Sequence, residues 1–182
     1  MTWRPHVAVC GAGDADARLS ALAEEVGRRL GRAGAVLLCG GLAGAMEAAC
    51  RGAKSEGGTT VGILPGPDRA AANPYVDVAV ATGLGEARNT LLVRSCDALI
   101  AVGGEFGTLS EIAFALKTRR PVVGLETWEF SKAGRVSEAI VRAKDAEEAV
   151  SLALRLARDR LQSAPPGGMG SARDGRSPKG GA

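Results

Sequence analysis

Apolar residues along this chain gather in five short continuous runs: His6–Cys10 (HVAVC), Ala35–Cys39 (AVLLC), Thr60–Leu64 (TVGIL), Ala98–Val102 (ALIAV) and Val122–Leu125 (VVGL). Unbroken runs of this length predict parallel strands covered on both faces. A sixth run, Val76–Val80, alternates and carries Asp77, which predicts an edge or short strand. Between the runs the period changes to that of a helix. Leu19, Leu22, Ala23, Val26 and Leu30 share one face, as do Met46, Ala49, Cys50 and Ala53, and then Leu109, Ile112, Ala113 and Leu116. Glu86–Cys96 reads as a further helix, and Ala146–Leu161 as the last. Strand–helix alternation predicts an α/β fold, a Rossmann-like doubly wound, mainly parallel sheet with helices on both faces, in a single domain.

Composition narrows the function. A chain of 182 residues holds one sizeable core. Six aromatic residues are too few for a nucleic-acid reader built on rows of stacking rings. No apolar run approaches the roughly 20 residues of a membrane helix, and MTWRPHVAVCGAG lacks the pattern of a signal peptide. The expectation is a cytoplasmic protein with neither a membrane nor a nucleic-acid partner. Of the net charge of +3, residues 163–182 contribute +2, leaving +1 for residues 1–162. That segment also holds 6 Gly and 3 Pro, and it reads as a disordered tail behind a domain spanning 1–162. Cys10, Cys39, Cys50 and Cys96 form no CxxC pair and His6 is the one histidine, so no metal site is expected. The four thiols read as buried and reduced. Cys10 and Cys39, each closing an apolar run, could be neighbours in the sheet.

In such a sheet a ligand sits beyond the carboxyl ends of the strands, where strand order reverses. Glycine collects at those ends. Gly11 and Gly13 follow the first run, Gly40, Gly41 and Gly44 the second, Gly66 the third, and Gly103, Gly104 and Gly107 the run ending at Val102. Each cluster is a candidate ligand loop, since glycine lets backbone N–H groups approach a phosphate at a helix start. The dinucleotide pattern GxGxxG and the GxxxxGK[ST] loop are both missing, which disfavours an NAD enzyme and a P-loop ATPase.

The stretch Glu86–Glu111 (EARNTLLVRSCDALIAVGGEFGTLSE) carries the remaining chemistry. Thr108 and Glu111 have capping-box spacing, with Thr108 as N-cap and Glu111 three residues on. Glu111 could equally offer its carboxylate to a sugar hydroxyl or a developing cation. Arg88, at the start of its helix, reads either as a solvated surface charge or as a ligand-holding group.

GGEFGTLSE (Gly103–Glu111) resembles the phosphate-binding signature PGGxGTxxE of the lonely-guy phosphoribohydrolases, once widely labelled lysine decarboxylases. Upstream, GGLAGAMEAACRGAKSEGGTTVGILPG (Gly40–Gly66) is similar to that family's GGxxGxM stretch, and Arg88 falls where it has an arginine. The resemblance covers about residues 6–126. Departures are Val102 for the family proline, Asn89 for its lysine, and Glu105 inside the loop. Together with Asn73-Pro74-Tyr75-Val76 they look more like a sister branch similar to the molybdenum-cofactor carrier protein.

The resemblance implies a 5′-phosphate cradle made by Gly103, Gly104, Gly107 and the Thr108 hydroxyl. It implies catalytic roles for Arg88 and Glu111 in cleaving the N-glycosidic bond of a nucleoside 5′-monophosphate, with no cofactor required. The alternative is a carrier that hydrolyses nothing and binds a phosphorylated pterin, such as molybdenum cofactor, or senses a nucleotide. In either case the partner is a small phosphorylated ligand, and a homodimer or higher homo-oligomer is expected, pairing through helices near the site.

Overall fold

The computed structural model describes residues 3–163. The tail expected from residue 163 lies outside them, apart from Ser163, the last residue of the final helix. In chain order the elements are β1 (His6–Gly11), α1 (Ala17–Arg32), β2 (Val36–Cys39), α2 (Ala45–Ser55), β3 (Thr59–Leu64) and β4 (Val78–Ala81). Then come α3 (Asn89–Ser95), β5 (Ala98–Val102), α4 (Phe106–Lys117), β6 (Val122–Leu125), β7 (Ser131–Lys132), β8 (Arg135–Val136), β9 (Ile140–Arg142) and α5 (Ala146–Ser163).

Seven strands form one sheet in the order β4-β3-β2-β1-β5-β6-β9. Every pairing in it is parallel. The chain winds outward from β1 to β4, returns to the centre, and winds the other way from β5. The reversal therefore falls between β1 and β5, where Gly11 is in register with Val102. The fold is Rossmann-like α/β, as the alternation predicts.

Alternate residues of each central strand point to opposite faces, so a continuous apolar run feeds two cores. Val7, Val9, Leu37, Ile100 and Val102 pack against α1, α2 and α5. Ala8, Cys10, Leu38, Leu99 and Ala101 pack against α3 and α4. Cys10 and Cys39, on adjacent strands of the sheet, thus face opposite sides of it. Cys39 instead lies with its Sγ 3.4 Å from Sγ of Cys50 on α2. All four cysteines are free and buried. No helix among the described residues is long and apolar enough to cross a membrane.

Three details differ from the sequence reading. Glu86–Cys96 is not one helix. A 3₁₀ turn, Gly85–Arg88, precedes α3, and its geometry carries Arg88 inward instead of along a helix surface. The sixth run enters the sheet only from Val78; the exposed Asp77 just before it accepts from the Thr60 amide and from Lys54 Nζ. The short strand β9 and the β7–β8 hairpin carry too few apolar residues to register as runs.

Helices α1 and α2 pack backbone against backbone. Asp16 caps α1, accepting from the Leu19 amide at 2.7 Å. Further along, a Cβ on Gly27 would lie 1.9 Å from the Ala49 carbonyl oxygen, and one on Gly52 would lie 2.0 Å from that of Glu24. Glycine is required here for backbone-to-backbone approach, against its unfavourable helix propensity. Gly27→Ala should therefore destabilise the protein by about 2 kcal/mol, although propensity alone predicts a gain of about 1 kcal/mol. Chemical denaturation gives the sign directly, and a stabilised variant would contradict the packing.

Candidate functional site

Both strands that flank the reversal end in glycine-bearing loops. At the end of β5, the Gly103 amide donates to the Leu125 carbonyl at 2.9 Å. Gly104 follows at φ +111, where a Cβ would lie 2.4 Å from the Thr108 side chain. Only glycine fits that turn. Helix α4 then starts at Phe106, with Glu105 as an N-cap whose side chain makes no capping bond. The first helical bond runs from the Leu109 amide to the Glu105 carbonyl. The amides of Phe106, Gly107 and Thr108 thus find no acceptor among the described residues. This is the positive end of a helix with its donors free.

The capping box expected of Thr108 and Glu111 is not formed. Thr108 already lies within the first turn of α4, and Glu111 makes a different bond. Its Oε1 accepts from Arg88 Nη1 at 3.0 Å, and each side chain is only 7% exposed. The reading of Arg88 as a solvated surface charge is likewise corrected. Burial raises the proton affinity of Glu111 above the ordinary carboxylate value, with the Arg88 charge and hydrogen bond acting against it. Behind the pair, burial and the nearby Glu111 charge push the Cys10 thiol well up, so it stays protonated.

A cavity of about 160 Å³ opens over this pair. Of the residues singled out from sequence, Gly11, Gly13, Arg88, Gly107, Thr108 and Glu111 line it. Gly103 and Gly104 do not; they shape the turn beneath it. Gly40 stands behind Arg88, where a Cβ would lie 2.5 Å from Nη2, so its part is to admit the guanidinium. Gly41 packs on Gly62 and Leu64, and Gly44 against the carbonyls of Ala12 and Gly13. These three glycines build the wall without forming its surface.

Glu105 also lines the cavity, together with Met46, Glu86 and Asn89. Glu86 and Asn89 were not assigned to the site from sequence. Their signal was adjacency to Arg88, which acquires meaning only once the 3₁₀ turn is known. Two buried polar atoms beside the cavity, Arg88 Nε and Asn89 Oδ1, have no hydrogen-bond partner among the described residues.

A parallel Rossmann-like sheet with a helix N-terminus and a buried Arg–Glu pair at its switch point places the chain in the doubly wound α/β class. Within it, the chain belongs to the SLOG cluster4 family, which it matches over residues 4–155. It is 46% identical over 121 residues to an uncharacterized protein of Archaeoglobus fulgidus, covering 66% of this chain and 80% of that one. Among solved structures it resembles the molybdenum cofactor binding protein of the phototrophic bacterium Rippkaea orientalis, at 34% identity and TM-score 0.76, over 86% of this chain and 99% of that one. The Moco carrier protein of Chlamydomonas reinhardtii is similar at 35% identity and TM-score 0.75, again over 86% and 99%. DNA processing protein A of Streptococcus pneumoniae shares the fold alone, at 18% identity and TM-score 0.63, over 81% of this chain and 61% of that one.

A carboxyl whose folded-state pKa is raised contributes stability below its unfolded pKa and loses it as pH rises through the folded value. The melting temperature of the wild type relative to Glu111→Gln should accordingly be highest below about pH 4.5, the ordinary carboxylate value, and fall as pH rises above it. Thermal melts of both proteins between pH 4 and 8 test this. A difference that grows with pH would mean that Arg88, not burial, governs the carboxyl.

Proposed function

We propose that the protein binds a small phosphorylated molecule, a nucleotide or a phosphorylated pterin of the molybdenum-cofactor kind, in the cavity at the start of α4. One observation carries this reading. Two of the three unpaired amides at the N-terminus of a twelve-residue helix belong to residues lining the cavity, Gly107 and Thr108, and a buried arginine lines it with them. Free N–H groups, the helix dipole and a guanidinium together suit a phosphate. The Thr108 hydroxyl adds a donor. Any molybdenum centre would be cargo, held through its organic part.

Holding without cleavage is the first reading, in which Glu111 commits Oε1 to Arg88 and fixes the guanidinium in the wall. Similarity to a cofactor binding protein and a cofactor carrier protein supports the same reading. Hydrolysis of a nucleoside 5′-monophosphate is the second reading, and one feature favours it. Glu111 lines the cavity with its proton affinity raised, as suits a group that exchanges a proton with a departing base or an incoming water. Incubation with a panel of nucleoside monophosphates separates the two. A carrier binds without releasing base, whereas a phosphoribohydrolase yields free base and ribose 5-phosphate on chromatography.

A substitution at Gly107 tests the phosphate site itself. A Cβ there meets nothing within 4 Å, so a side chain is accommodated without displacing the fold. Gly107→Asp should keep or raise the melting temperature, since a carboxylate is favourable in the first turn of a helix. The same charge should lower the affinity for phosphorylated ligands by a factor of about 100 through competition and repulsion. A folded variant that binds as tightly as the wild type by calorimetry would remove the site.

A further inference from the structure

Glu105 stands directly before α4 as its N-cap, yet its side chain makes no capping bond. It is exposed, and it lines the cavity together with Glu86, which is also exposed. No ion pair among the described residues involves either carboxylate. Arg88 is the one cationic side chain of the wall, and it is paired with Glu111 at 3.0 Å. A phosphate held at the start of α4 therefore meets two uncompensated negative charges. Their reach is visible at the ion pair, where the Glu86 charge, alongside burial, raises the proton affinity of Glu111.

The sizes of the charges decide what such a site accepts. A helix N-terminus is equivalent to about half a positive charge. Two carboxylates carry four times as much, with the opposite sign. Coulomb energy falls as the inverse of distance, so carboxylates twice as far from the phosphate as the amides still outweigh the helix by a factor of about two. The amides' hydrogen bonds are met by a phosphate bearing one negative charge. A second charge adds no further bond, enters a repulsive field, and gives up more hydration on the way in. A phosphate monoester carries about 1.5 to 2 negative charges at pH 7, whereas a phosphodiester carries one.

Building on the phosphate-site reading, we propose that Glu105, assisted by Glu86, sets the charge the site accepts: among phosphorylated ligands it selects a phosphodiester over a doubly charged monoester. The selection works by placing an unfavourable element against the wrong ligand. Glu105 is thus a specificity-determining residue that acts through its field, without a bond to the ligand.

The test is calorimetry on the full chain at pH 8 in the presence of EDTA, with guanosine 5′-monophosphate and the methyl phosphodiester of the same nucleotide. At that pH the monoester is doubly charged. The wild type should bind the diester about threefold to tenfold more tightly. Glu105→Gln keeps the shape of an exposed side chain and removes its charge. One charge at about 6 Å in a water-like medium is worth about threefold for each charge on the ligand. The variant should therefore tighten the monoester about tenfold and the diester about threefold, narrowing the ratio about threefold. Glu86→Gln should act in the same direction. Raising the salt to about 0.5 M should shrink the ratio in the wild type, which a packing effect at either position would not do. Equal or tighter binding of the monoester by the wild type, or a ratio unmoved by Glu105→Gln, would overturn the assignment while leaving the phosphate site standing. Failure of the wild type to bind either ligand would overturn the phosphate site and this assignment with it.

Discussion

A buried guanidinium organises this molecule. Taking an arginine out of water costs several kcal/mol even after the protein relaxes, so Arg88 must be met by an opposite charge and must have room. Glu111 supplies the charge from the second turn of α4, at 3.0 Å. Gly40 supplies the room, because any side chain at the end of β2 would collide with Nη2. The 3₁₀ turn Gly85–Arg88 supplies the direction of approach, dropping the side chain into the interior before α3 begins. Three segments far apart in sequence therefore have to arrive together, and their meeting point is the mouth of the switch between β1 and β5.

Glycine does two separable jobs around that point. At Gly104, φ is +111 and Thr108 occupies the place of a Cβ, which turns the chain from β5 into α4 and leaves the first amides of the helix unspent. At Gly27 and Gly52, inside regular helices, the need is proximity, since the two backbones touch where side chains would stand. That contact holds α2 down on α1, with β2 and its loop anchored at the N-terminal end of α2. Stability of the scaffold and shape of the cavity thus draw on the same economy of small residues.

The cavity wall is chemically mixed. The first turn of α4, through Gly107 and Thr108, and the Arg88 guanidinium bring donors, while Glu86, Glu105 and Glu111 bring carboxylates. Within that wall the one ion pair among the described residues is Arg88–Glu111, both side chains buried, so the remaining carboxylates and the helix amides keep their capacity for other partners.

The sequence by itself determined the sheet, its parallel sense and the sites where loops meet. Runs such as ALIAV are apolar at every position, and burial on both faces is the one environment that accepts them. Glycine-rich strand ends located the cavity for the same local reason, since turn geometry depends on a few neighbouring residues. Tertiary structure alone decided what Thr108, Glu111, Arg88 and Asn89 do. T-x-x-E spacing fits a capping box, and only the start of α4 at Phe106 takes Thr108 out of the N-cap position. Arg88 sits 23 residues from its partner, and Asn89 depends on Ser110, 21 residues away. A charged or amide side chain takes its role from whatever faces it across the fold, and no local pattern records a partner brought in by a crossover of the sheet.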